Sequence, residues 1–229
     1  RYQEVTGVQT CALPICYENM CSKKQMNRLI QGDVGSGKTI VAFLCMLFPV
    51  ESNAQVAFMA PTEVLAEQHF KSVLSLGKKL NLSVDLLTGS TKPKERGVLL
   101  KNLLSGKTNI LIGTHALIEE RVRFKKLGLV VIDEQHKFGV AQRAKLWSKK
   151  EEYYPHVLVM TATPIPRTLA LTLYGDLDVS VIDELPKGRK EIITRHRNDN
   201  SRLKVLNFIK QTIESGSQVY VVYPLIEES

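Results

Sequence analysis

The stretch GDVGSGKT, Gly32 to Thr39, places three glycines, a lysine and a threonine within eight residues. Its spacing is G-x-x-x-x-G-K-[ST], and every constrained position is filled. Such a loop cradles the phosphates of a nucleotide. Gly32, Gly35 and Gly37 let the backbone curl, so that its N–H groups and those of Asp33, Val34 and Ser36 line a concavity at a helix start. Lys38 then reaches the β- and γ-phosphates and the Thr39 hydroxyl ligates a metal, which makes ATP and Mg²⁺ the expected cofactors.

About a hundred residues further on, LVVIDEQH (Leu129 to His136) sets two acids directly behind a hydrophobic run. Asp133 is suited to holding Mg²⁺ through water, and Glu134 to orienting and polarising an attacking water. A hydrophobic run ending in two acids is weak evidence alone, since strand ends often carry acids. Behind a phosphate loop it becomes strong. His136, beside the pair, is the one histidine the sequence marks out without further help.

These groups need a scaffold that brings distant segments together. Short β-rich runs recur at RLI, QVAFMA, VDLL, NILIG, LVVID and VLVMTA, and longer amphipathic stretches such as Glu63–Leu80 and Pro93–Leu104 lie between them. Several of the runs are apolar on both faces, as strands of a parallel sheet covered by helices must be. The alternation predicts a doubly wound α/β domain, with the apolar segment Thr39–Val50 as the helix behind the glycine loop.

Composition narrows the function classes. The chain has 229 residues, 44% hydrophobic and 24% charged, which is globular rather than disordered. No apolar run approaches the roughly 20 residues that span a bilayer. The net charge of +8 is clustered: Arg121–Lys150 holds nine Lys/Arg against two acids, and Pro186–Lys210 holds eight against two. Patches of this kind suit a polyanion, although a solvated lysine-rich surface reads the same way. Cys11, Cys16 and Cys21 lack zinc-site spacing, and Cys45 reads as a core residue of a reduced, cytoplasmic protein.

Adding Gln135 and His136 to the acidic pair gives D-E-x-H, and with it the chain resembles the superfamily 2 helicases and translocases. APTEVLAEQH (Ala60–His69), TG (Thr88–Gly89), IGTHAL (Ile112–Leu117) and TATPIPRT (Thr161–Thr168) follow in that superfamily's order. The resemblance implies a RecA-like fold, a nucleic-acid backbone groove along Pro61, Thr62, Thr88, Gly89, Thr114 and His115, and coupling of that groove to the nucleotide through Thr161, Thr163 and Arg167. From spacing alone His69 and His115 read as ordinary helix and loop residues, and Arg167 could equally cap a helix. DEQHKFGVAQR, LYGDLDVSVIDELPKGR and YPLIEES are similar to the RecG family of bacterial branch-migrating DNA helicases. That likeness implies a monomeric bacterial enzyme of repair and recombination acting on branched or forked DNA. A transcription-repair coupling translocase and an RNA-directed ATPase are the alternatives.

The expected layout follows. Residues 1–25 form an irregular segment, and Arg1 to Ile15 resembles translated sequencing-adapter DNA and is set aside as non-native. Residues 26–182 form a first RecA-like domain, 183–190 a linker, and 191–229 the truncated beginning of a second. The latter is read from a strand-like EIITRH, a helix-like Ser201–Ser215 and an apolar QVYVVYPLI. None of Arg189, Arg195 and Arg197 stands in the superfamily's motif for the arginine that completes an ATP site, so this chain alone is expected to lack turnover.

Overall fold

The computed structural model describes residues 7–22, 24–134, 154–163, 177–182 and 192–223. The chain divides into two compact units, Arg1–Lys187 and Gly188–Ser229.

The first unit is built on seven strands: β1 (Asn27–Gly32), β2 (Gln55–Met59), β3 (Val84–Leu87), β4 (Ile110–Gly113), β5 (Leu127–Asp133), β6 (His156–Thr161) and β7 (Asp178–Ile182). They form one sheet in the order β3-β4-β2-β5-β6-β1-β7, and every neighbouring pair is parallel. This is the RecA-like doubly wound architecture expected from the sequence. The six apolar runs all became strands. β7 was not anticipated, because its short DVSVI segment lacks the continuous apolar run of the other strands and lies half-exposed at the sheet edge.

Alternation along each strand divides the core in two. Ile30, Val56, Phe58, Ile112, Val131 and Met160 face one side, together with Val41, Cys45 and Met46 of α2 (Lys38–Glu51) and Val73 of α3 (Glu63–Lys78). Leu29, Ala57, Met59, Leu111, Val130 and Val159 face the other, against Leu99 and Leu103 of α4 (Pro93–Ser105) and Leu117 of the 3₁₀ turn His115–Ile118. All five residues of β2 and all four of β4 are buried, as strands covered on both faces must be.

Gln55, at the start of β2, is a buried polar knot. Its Nε2 donates to the carbonyls of Leu103 and Thr108, both at 2.8 Å, and its Oε1 accepts from the N–H groups of Lys125 and Lys126 at 2.7 and 3.2 Å. One side chain thereby fastens the end of α4, the turn into β4 and the approach to β5.

Within the segment expected to be irregular, residues 1–25, the described part is mostly helical, which corrects that expectation there. Gly7–Cys21 forms a helix, α1, in spite of Pro14 within it. Its sequence has little helical periodicity, and tertiary contacts override that weakness. Ala12 and Cys16 are buried in the core, and the Tyr17 ring lies 4.9 Å from that of Phe48. Buried Arg28 of β1 donates to Asn19 of α1 and to Ser180 and Asp178 of β7, tying three elements together.

In the second unit the expected helix is present as α5 (Arg202–Glu214), after a 3₁₀ turn at Asp199–Ser201. The strand-like stretches on either side are not strands where described: residues 192–198 and 217–223 have no regular structure and are largely exposed. An extended apolar segment becomes a strand only beside a neighbour that accepts its ladder bonds.

Candidate functional site

In a parallel sheet every strand delivers the loop after it to the same edge. At that edge the order of strands becomes an order of motifs: Thr88–Gly89 after β3, Thr114–His115 after β4, Pro61–Thr62 after β2, Asp133–Glu134 at the end of β5, Thr161–Thr163 at the end of β6 and the glycine loop after β1. The segments expected to touch a nucleic acid share the β3-β4-β2 half. Those expected to handle a nucleotide share the β5-β6-β1 half.

The glycine loop has the backbone its sequence calls for. Gly35 and Gly37 adopt φ of 82° and 89°, and the Ser36 N–H donates to the Asp33 carbonyl at 3.1 Å, closing the turn. At Gly32 an added Cβ would sit 2.7 Å from Ser36 Oγ and 3.0 Å from Ile182 Cβ. Asp33 receives the Val34 N–H, and Val34 itself is exposed. Helix α2 begins at Lys38 with no side chain capping its N-terminus, an arrangement that favours an anion. Lys38 Nζ lies across the loop and donates to the carbonyls of Gly32 and Asp33 at 2.8 and 2.7 Å. Burial pushes its pKa below the usual lysine value, and the carboxylates of Asp133, Glu134 and Asp33 partly oppose the shift. The acids of β5 thus lie within electrostatic reach of the lysine.

The two acids turn to different neighbours. Glu134 adopts φ of 50°, a left-handed conformation that costs a non-glycine residue roughly 1 kcal/mol or more. Its N–H bonds to the Met160 carbonyl at 2.9 Å, and its carboxylate accepts from the Ala162 N–H at 3.0 Å and from Thr161 Oγ at 3.2 Å. Thr161 Oγ also contacts Thr163 Oγ at 2.8 Å. The loop after β6 therefore wraps the carboxylate of Glu134 directly. Asp133 instead meets His69 of α3, with Nε2 and Oδ2 2.7 Å apart. His69 is the residue that spacing alone passed over, because nothing local signals a partner 64 positions away.

On the other half, Thr62 caps α3 by accepting the Leu65 N–H, and Glu63 accepts from both the N–H and hydroxyl of Ser90 in the Thr88–Thr91 turn. Thr62, Gly89 and His115 are exposed and Pro61 half-buried, whereas Thr88 and Thr114 are buried at 4% and 2% exposure. The Thr114 hydroxyl has no hydrogen-bond partner among the described residues. Thr161 is buried and Thr163 exposed. At Gly113 an added Cβ would fall 2.0 Å from the Leu87 carbonyl oxygen, so only glycine lets the ends of β3 and β4 approach this closely. His136 and Arg167 lie outside the described residues.

The site suits a magnesium nucleotide. An uncapped helix start, two loop glycines at positive φ, a lysine held in the concavity within electrostatic reach of Asp133, and the adjoining Thr39 hydroxyl are the kinds of donor such a group requires. No group of three or more His, Cys, Asp or Glu side chains able to hold a metal occurs among the described residues.

A family model described as DEAD/DEAH box helicase matches residues 6–172. The chain belongs to this family. It is a DEAD/DEAH box helicase domain, and ATP is the nucleotide that such a domain binds. Among curated relatives it is 51% identical over 226 residues to the ATP-dependent DNA helicase RecG of Aquifex aeolicus, covering 99% of this chain and 28% of the relative. It is 51% identical over 225 residues to RecG of Bacillus subtilis, covering 98% and 33%. The chain thus spans about a third or less of the relatives' length. A solved structure of RecG bound to a three-way DNA junction is 44% identical, with a TM-score of 0.85 over 99% of this chain and 30% of that one. The helicase domain of Pyrococcus furiosus Hef, 22% identical with a TM-score of 0.55, shares the fold. The likeness to RecG read from the motifs is borne out. No helix among the described residues is long and apolar enough to cross a membrane.

Proposed function

We propose that this chain is the nucleotide-binding lobe of a cytoplasmic, monomeric ATP-dependent DNA helicase or translocase that works on branched DNA in repair and recombination. The observation that carries the reading is the shared sheet edge. There the glycine loop, Asp133, Glu134 and the Thr161–Thr163 loop adjoin the segments that the family resemblance assigns to a nucleic-acid backbone. The 44% identity to a RecG solved on a DNA junction supports branched DNA over other partners.

MgATP supplies the phosphoanhydride bond whose cleavage drives movement. The loop N–H groups and the start of α2 would bind the phosphates, and Lys38, now donating to the Gly32 and Asp33 carbonyls, would supply its ammonium to phosphate oxygens. Thr39 and Asp133 would hold the metal. Glu134 orients the attacking water and accepts its proton. Its bonds to Thr161 and Ala162 make the β6 loop sense whether that carboxylate is engaged.

The test uses the full-length protein that contains this chain. ATP hydrolysis is measured with forked DNA, single-stranded DNA and RNA, beside a Lys38→Ala variant. Forked DNA should stimulate most, and Lys38→Ala should abolish nucleotide binding while remaining folded, since the lysine projects into the loop rather than the core. Preferential stimulation by RNA, or normal nucleotide binding by a folded Lys38→Ala protein, overturns the reading.

A further inference from the structure

We infer that His69 is a positioning residue for the metal-holding carboxylate of Asp133, and that α3 thereby sets the Mg²⁺ affinity of the site. This rests on the magnesium-nucleotide reading above.

Along α3, Ala66, Val73 and Gly77 form the buried stripe that faces the sheet, and His69 falls on the same face. An apolar residue would be the ordinary occupant of such a position. The histidine side chain is instead only 12% exposed, and a polar group taken that far from water persists only with a partner. Its partner is Asp133 Oδ2 at 2.7 Å, itself on a side chain 13% exposed. An ionised carboxylate only accepts, so the ring proton sits on Nε2 and is donated. The opposite constraint comes from the sheet. The imidazole lies against the ring of fully buried Phe58, with centroids 4.6 Å apart and planes inclined at 34°. Phe58 fixes the plane of the imidazole, and the imidazole fixes one oxygen of Asp133.

That restraint matters because the terminal torsion of an aspartate is broad and close to two-fold. An unheld carboxylate would sweep its oxygens past the metal position, and each productive encounter would cost the entropy of stopping it. Pinning Oδ2 sets the direction of the other oxygen in advance. Groups that orient a ligating residue in this way typically account for about 10- to 100-fold in metal affinity. The consequence reaches across the sheet edge, since α3 starts at the Thr62 cap, on the half expected to meet nucleic acid.

The experiment titrates Mg²⁺ into the full-length protein and follows binding of a fluorescent, non-hydrolysable ATP analogue, with a magnesium-free baseline in EDTA. Two variants separate positioning from packing. His69→Phe keeps the aromatic contact with Phe58 but has no donor, whereas His69→Gln surrenders the ring but offers an N–H near the same place. His69→Phe should need about tenfold more Mg²⁺ for half-maximal binding, with its EDTA baseline unchanged. His69→Gln should stay within about threefold of wild type. Wild-type Mg²⁺ dependence in folded His69→Phe, or a His69→Gln protein as impaired as His69→Phe, overturns the inference. A wild-type protein that binds the analogue equally well with and without Mg²⁺ would instead refute the magnesium site on which it rests.

Discussion

Replacing Gln55 by methionine removes four hydrogen bonds while nearly preserving side-chain length and volume. Gln55 is 3% exposed, and its partners are all backbone groups: the carbonyls of Leu103 and Thr108 and the N–H groups of Lys125 and Lys126. A net contribution of about 0.5–1.5 kcal/mol for each bond gives a loss of roughly 2–6 kcal/mol. The methionine recovers part of this by apolar contact, so the lower half of the range is expected. Domains have only about 5–15 kcal/mol of stability, so the change is large. With a urea m-value near 2 kcal/mol/M, the unfolding midpoint of the chain should fall by about 1–2 M. Far-UV circular dichroism against urea measures it, with an exposed control such as Gln211→Met expected to shift little. Because Gln55 lies at the edge opposite the glycine loop, nucleotide affinity of the folded fraction should be unchanged. A midpoint shift no larger than that of the control would refute the reasoning, by showing that the four backbone groups are satisfied equally well without Gln55.

Three further outcomes are expected. Glu134→Gln in the full-length protein should retain ATP while slowing hydrolysis by at least about 100-fold, measured by binding and single-turnover assays, since an amide cannot take the proton from water. Gly113→Ala should cost at least about 2 kcal/mol in a melting experiment, because its Cβ would lie 2.0 Å from the Leu87 carbonyl oxygen and must drive β3 from β4. His156 accepts the Met26 N–H on Nδ1 at 2.9 Å, and burial lowers its pKa below the ordinary 6.5. The unfolded chain therefore takes up a proton first as pH falls below about 6.5, and stability should decline until the folded pKa is passed. His156→Gln should flatten that part of the stability profile, read from denaturation midpoints between neutral and acid pH.

Much of the fold was legible because it rests on patterns the chain carries locally. The buried runs in β2 and β4, the amphipathic spacing of α3 and the glycine loop each encode their element within a dozen residues. The rest depends on meetings that no local pattern records. Glu134 reads as a strand-end acid, and only the loop after β6 explains its left-handed turn. His69 and Gln55 look like polar residues in a helix and a strand, and each owes its burial to partners dozens of positions away. Helix α1 has almost no periodicity, and contacts with α2 and β1 form it. The opposite failure is equally instructive: the apolar stretches flanking α5 have strand composition but no described neighbour to pair with.

The order of strands along the sheet has a consequence for engineering. The loops after β2, β3 and β4 come from one unbroken stretch of sequence, residues 60–118, and occupy one continuous half of the edge. They can be exchanged as a cassette, with the phosphate loop and both acids left in place. The bond between His69 and Asp133 is where such a graft would be felt, since it joins the cassette to the half that carries the phosphate loop. A chimera built on this plan should keep its donor's histidine only if the recipient's aspartate stands at the same height on β5.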